Sequence, residues 1–292
     1  MTPTSLNTQA PFRPLFWRKT QDVLLGLFSL ISIIIAVGGM GWILWTVLSH
    51  GAHVIDWQFL TAPSKPYGEI GAGIANALLG TLAITGAATL ISVPPAIAAG
   101  IYLAEFGKQS RLANVLRFSA NVMMGLPSII VGLFVYVIIV IPTGNFSGFA
   151  GTVALAVIMF PVMMRTTEDM LAMVPDTLRE SALALGMSRC RATLSIVARA
   201  ARNGLVTGVL LSLARVSGET APLLFTAMFA DTWPTGYFTK PTANLPVLIS
   251  EYTMNSPFEE MHAAGWGAAL VIAGLILALN IATRCIFRDR KH

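Results

Sequence analysis

Long apolar runs, separated by short charged segments, set the character of this chain. Six of them are long enough to cross a hydrocarbon core about 30 Å thick, near residues 22–48, 74–103, 113–141, 147–164, 203–230 and 263–286. Each predicts a transmembrane α-helix. The third and fourth are joined by the short uncharged turn 142–147, as in a hairpin. Two runs contain interruptions, Ser92-Val93-Pro94-Pro95 in the second and Gly125-Leu126-Pro127-Ser128 in the third. Non-helical backbone at membrane depth persists only against protein or a watery cavity. After Pro127 the pattern admits either a packing kink or a half-helix whose free N–H groups and positive dipole end face an anion. Gly80, Gly86, Ala87, Gly204 and Gly208 favour close helix contact.

Between the fourth and fifth runs the pattern changes. Residues 165–202 are polar and carry helix punctuation. Pro175 and Asp176 precede Thr177-Leu178-Arg179-Glu180, which has the spacing of a capping box. Leu178, Ala182 and Leu185 follow at i, i+4 and i+7 as one apolar stripe. Gly186 is placed as a C-terminal cap, and Ser188 as the cap of a second helix. The segment therefore predicts a helix, a turn and another helix outside the membrane. Glu180 alone suits a capping role, and the stripe suits packing on the spans. The whole segment favours a docking element, an amphipathic helix entering a partner's groove.

Composition agrees with the pattern. The chain is 55% hydrophobic and 11% charged, which excludes an ordinary soluble globule. A net charge of +5 invites a nucleic-acid reading until the basic residues are located. Three lie in the N-terminal tail, three in 104–117, six in 165–202, and four from Arg284 onward. Lys65 and Lys240 are the ones in loops 49–73 and 231–262, and Arg215 lies within a span. Such alternation is the positive-inside bias, and it predicts both termini in the cytoplasm. It argues for a membrane partner and against nucleic acid. The 231–262 loop is acidic, and its Trp233, Tyr237, Phe238 and Tyr252 suit a membrane–water interface. Cys190 and Cys285 fall on the predicted cytoplasmic side, where thiols stay reduced, so no disulfide or metal framework is implied. Arg13, Arg18 and Lys19 precede an apolar stretch too long for a signal-peptide core. The predicted organisation is a cytoplasmic tail at 1–21, one six-helix membrane domain at 22–286 and a cytoplasmic tail at 287–292.

The candidate chemistry sits in the fifth run. Arg215 and Glu219 interrupt apolar sequence, with Arg215 about 16 Å along a span that starts near Gly204. A charge there costs roughly 2.5–3.5 kcal/mol or more, so it must face protein or water and have a partner. On one helix the i, i+4 spacing brings the two side chains together. An ion pair that merely joins helices is the structural alternative, although apolar residues of similar volume often serve as well. Intramembrane ionisable residues favour function. Arginine offers a planar, always-charged fork suited to an oxyanion.

Two motifs now resemble a known family. Glu180-Ser181-Ala182 with Gly186 is similar to the EAA–Gly loop of ABC-importer permeases, with Ser181 in place of the usual alanine. In that family the loop is a coupling helix seated in a groove of the ATP-hydrolysing subunit. "ARVSGETAPLLFTA", residues 214–227, resembles the signature of phosphate-specific ABC permeases, and its APLLFTA end fits the PstA-type rather than the PstC-type subunit. "GIYLAEFG" (100–107), "PSIIVGLFVY" (127–136) and "ANLPV" (243–247) extend the similarity across spans two to six.

The resemblance implies an all-α integral membrane protein with six transmembrane helices, of type I (MetI-like) ABC importer architecture, in the bacterial inner membrane. Its expected partners are a PstC-type permease, a PstB-type ATPase dimer, a PstS-type periplasmic phosphate-binding protein and inorganic phosphate. The chain itself is expected to be a non-catalytic subunit without cofactor or metal, with ATP and Mg²⁺ held by the ATPase. Arg215, Ser217, Glu219 and Thr220 would line the substrate pathway. Glu180, Ser181, Ala182, Leu185 and Gly186 would couple it to the ATPase.

Other classes fit less well. A membrane serine protease needs a histidine base near its nucleophile, and His50, His53, His262 and His292 all lie away from span centres. Gly107-Lys108 is followed by Gln109, so no phosphate-binding loop of the G-x-x-x-x-G-K-[ST] type is present. A secondary anion carrier leaves the docking segment unexplained. A permease for another oxyanion, molybdate or sulfate, stays open, because pocket selectivity is not legible in sequence.

Overall fold

Every described element of secondary structure is a helix. The computed structural model describes residues 15–286 apart from 67, 70, 108 and 109. The predicted tail at 287–292, and that at 1–21 as far as residue 14, lie outside these residues.

The chain divides into two units. The first, Met1–Ser49, is described as α1 (Leu15–Gly51), which runs just past the unit's end. Phe28, Ile35 and Trp42 are among its exposed apolar side chains, and Lys19–Gly51 is long and apolar enough to cross a membrane.

The second unit begins at His50. Its first half holds α2 (Trp57–Thr61), α3 (Ala75–Phe106), α4 (Arg111–Gly125), α5 (Ser128–Thr143) and α6 (Gly148–Ala172). Its second half holds α7 (Asp176–Ala184), α8 (Arg189–Ala200), α9 (Arg202–Ser217), α10 (Ala221–Leu224), α11 (Leu245–Ser250) and α12 (Glu259–Ile286). With α1, the helices α3, α6 and α12 make four of membrane-crossing length. The total is six when the bent pairs α4–α5 and α8–α9 each count as one span.

One bend falls at the interruption read at Gly125-Leu126-Pro127-Ser128. The run at 113–141 turns through 103° between α4 and α5. Leu126 and Pro127 there adopt extended backbone, with ψ of 138° and 133°, because proline pushes its predecessor out of the helical region. The double proline of the second run does not interrupt it. Pro94 and Pro95 stand inside α3, which continues to a π-helical turn at Tyr102–Phe106. The two prolines are exposed while Ser92 and Ala96 beside them are buried, so the missing donors fall on the side of the helix away from the core.

The fifth run departs most from expectation. The helix predicted to reach 230 stops at Ser217, with Gly218 as its cap. The chain beyond folds into the bundle. Thr226, Ala227, Ala243 and Asn244 are almost wholly buried. Their backbone is satisfied by neighbours: Ser147 N–H donates to the Thr226 carbonyl (2.9 Å), Thr242 N–H to Ala227 (3.0 Å) and Phe149 N–H to Tyr237 (3.1 Å). Leu245 N–H donates to the Thr81 hydroxyl of α3 at 2.8 Å. Met228 takes φ of 60° in this segment, a left-handed conformation held by its N–H bond to Leu223 (2.8 Å).

Close approach depends on small residues. A Cβ at Gly100 of α3 would stand 2.5 Å from Thr167 Cβ of α6, and one at Gly208 of α9 would stand 2.6 Å from Thr166. Gly204 and Gly80 are similarly tight, whereas Gly86 faces open space. α6 opens on Ser147, whose hydroxyl accepts from Ala150 N–H (3.2 Å), and it runs past the expected end at 164 to Ala172.

Candidate functional site

Arg215 lies in the last turn of α9, where the negative end of the helix dipole favours a cation. Glu219 lies just beyond the Gly218 cap, so the two are not stacked on one helix face as their spacing suggested. Arg215 Nε and Glu219 Oε1 are 3.9 Å apart, a loose ion pair. The Arg215 side chain is 54% exposed and that of Glu219 19%.

Both line a cavity of about 240 Å³. Its other walls come from Met124, Pro127 and Ser128 at the α4–α5 break and from Ile158 and Val162 of α6. The break thus brings the start of α5 to the cavity, and the first amides of a helix have no partner within it. One guanidinium, one carboxylate, a helix start and apolar walls can receive a small oxyanion. Ser217 and Thr220 do not line the cavity. Ser217 is buried and donates to the Leu213 carbonyl (2.7 Å), while the Thr220 carbonyl accepts from Leu223 and Leu224 (both 3.1 Å).

The polar segment forms the helix–turn–helix read from its punctuation, with one difference at its start. α7 begins at Asp176 behind Pro175, without a side-chain cap. Thr177 is therefore inside the first turn, and its hydroxyl is not placed as a cap. The Glu180 carboxylate is exposed, as are Ser181, Leu185 and Gly186. Ala182 is the residue α7 buries, while Leu178, Leu183 and Leu185 face outward at 42%, 40% and 84% exposure. Of the stripe, Leu178 and Leu185 are thus exposed within this chain while Ala182 is buried. Gly186 takes φ of +80°, and Met187 N–H bonds the Ala182 carbonyl (3.2 Å) while Gly186 N–H bonds Leu183 (2.9 Å), a Schellman cap. Ser188 caps α8 by accepting from Arg191 N–H (3.4 Å).

Gly186→Val is expected to weaken this cap by about 1–2 kcal/mol, the strain of a left-handed branched residue. The corresponding roughly tenfold faster amide exchange at Met187 is measurable by hydrogen exchange. Unchanged protection would show that the cap does not hold the helix end.

Two charge clusters escaped the sequence reading. In one, Glu168 of α6 takes Arg117 of α4 and Arg165 of its own helix, each at 2.6 Å. In the other, Arg179 of α7 bonds Glu105 in the π-helical turn of α3 at 2.8 Å. The available signal was an acidic residue shortly after an apolar run, Glu105 after 74–103 and Glu168 after 147–164, but nothing in the sequence names its partner.

The fold matches a solved class. In an inward-facing crystal form of the MetNI methionine ABC transporter, one chain superposes with a TM-score of 0.62 at 18% identity, covering 74% of this chain and 94% of that one. This likeness shows the fold alone, an all-helical architecture of the MetI-like type. Residues 96–292 match the family of binding-protein-dependent transport system inner membrane components, and the chain belongs to that family, among the PstA-type permeases. The phosphate transport system permease protein PstA of Haemophilus influenzae is 44% identical over 94% of this chain and 97% of its own length. That of Yersinia pestis is 42% identical over 94% and 93%. PstA 1 of Mycobacterium tuberculosis is 35% identical over 94% and 90%.

Proposed function

We propose that this chain is a permease subunit of an ATP-driven importer that carries inorganic phosphate across the bacterial inner membrane. The observation that carries the reading is the cavity at the α4–α5 break, where Arg215 stands open beside Glu219. The guanidinium fork suits a tetrahedral oxyanion, and the neighbouring carboxylate keeps the anion from being held too tightly to leave. The names of its relatives support phosphate as that anion.

The distribution of basic residues supports both termini in the cytoplasm, with α7 on the same side. Outward-facing Leu178, Leu183 and Leu185 beside Glu180 suit the groove of a PstB-type ATPase dimer, which binds ATP and Mg²⁺. A homologous PstC-type permease completes the central pathway. A PstS-type binding protein delivers phosphate onto loops 49–73 and 231–262.

The test is ATP-dependent uptake of labelled phosphate in vesicles that contain all four components. Uptake should require ATP and loaded binding protein and should persist in excess molybdate or sulfate. Competition by either oxyanion at equal concentration would reassign the substrate.

A further inference from the structure

α7 buries Ala182, and it engages the ends of α3 and α6 through the side chain of Arg179. Arg179 is 14% exposed, and its guanidinium is engaged on every side. Nε and Nη2 donate to Glu105 at 3.0 and 2.8 Å. Nη1 donates to the Val174 carbonyl (2.5 Å), and Nη2 also to that of Leu171 (2.7 Å), both at the end of α6. Asp176 adds a bond at 3.0 Å, but it is 73% exposed and contributes little. Glu105 is 9% exposed, so this is a desolvated, doubly bonded pair with a fixed geometry. The hydrogen bonds that Arg179 donates to Glu105 outweigh burial and push its pKa above the ordinary value, so its charge persists at any working pH.

The π-helical turn that holds Glu105 serves a second arginine. Arg117 of α4 donates to the Leu103 carbonyl (3.0 Å) and to Glu168 of α6 (2.6 Å). Leu103 is wholly buried with Ala113 and Ala120 of α4 and Met163 and Met164 of α6. The other end of α4 is the break that walls the Arg215 cavity. A continuous rigid path therefore joins α7 to that wall.

We propose that Arg179 and Glu105 are a positioning pair that converts displacement of α7 into movement of the α4–α5 break. This rests on the reading of α7 as the ATPase-coupling helix. The pair touches neither nucleotide nor substrate. It ties α7 to the ends of α3 and α6, and the Arg117 bonds pass the movement to α4.

The experiment measures phosphate transported per ATP hydrolysed in vesicles containing the complete complex. In Glu105→Gln, hydrolysis stimulated by loaded binding protein should persist while the ratio falls about tenfold, a typical size for a coupling free energy. Arg179→Lys, which keeps the charge and loses the fork, should show the same split. Glu105→Asp and the exchange Glu105→Arg with Arg179→Glu should each recover part of the ratio. A purely architectural role would lower complex yield, hydrolysis and transport together at an unchanged ratio, and that result in both single variants overturns the proposal. Wild-type vesicles that take up no phosphate overturn the underlying reading instead.

Discussion

Arg215→Gln is expected to reduce ATP-dependent phosphate uptake about tenfold to a hundredfold, since hydrogen bonds to charged groups contribute about 1.5–3 kcal/mol each. Glutamine keeps much of the length and polarity but removes the charge. Folding should be spared, because the side chain is 54% exposed and its ion pair is loose at 3.9 Å. Arg215→Lys should fall between, keeping the charge while losing the planar fork. The measurement is the uptake rate normalised to permease in the membrane. Wild-type uptake by the glutamine variant would remove Arg215 from the pathway and leave the cavity without its anion-binding group.

The second large effect concerns assembly. A Cβ at Gly80 would lie 1.8 Å from the Ala243 carbonyl, a backbone atom of the segment folded back into the bundle. Gly80→Ala must therefore displace that segment, whose neighbour Leu245 bonds Thr81. Overpacking of this kind typically costs about 1–3 kcal/mol, and a backbone clash falls at the upper end. The expected result is a clear drop in melting temperature in detergent and in membrane yield. Gly86→Ala on the same helix meets nothing within 4 Å and should be neutral or slightly stabilising. Equal melting of the two variants would show that the Gly80 contact does not constrain the fold.

Where a signal is local, the sequence was informative. Residue charge and apolar run length located α1, α3 and α12, and Ser188 and Gly186 marked their helix ends because capping depends on adjacent backbone. Pro127 flagged the α4–α5 break, although a 103° turn is set by what packs on either side. The capping box failed because the helix starts behind Pro175, two residues earlier than a Thr177 cap would place it. The end of α9 was hidden for a different reason. Apolar residues at 221–230 say that the segment is buried, not that it is helical. Beyond the short α10 its backbone leaves the helix, and Ser147 and Thr242 give the Thr226 and Ala227 carbonyls hydrogen-bond partners that only the assembled bundle provides. The same holds for function. Arg215 and Glu219 were conspicuous as charges in apolar sequence. Glu105 and Arg179 are 74 positions apart, and no periodicity links them.

The stretch between α10 and α11 also ties the C-terminal third to the earlier helices. Its Thr226 and Tyr237 carbonyls, and the Leu245 amide that follows it, take their hydrogen-bond partners from α3 and the start of α6. The stretch can settle only where those receiving groups, the Thr81 hydroxyl and the amides of Ser147 and Phe149, stand in place. Packing of the C-terminal third therefore depends on groups that the earlier helices α3 and α6 supply.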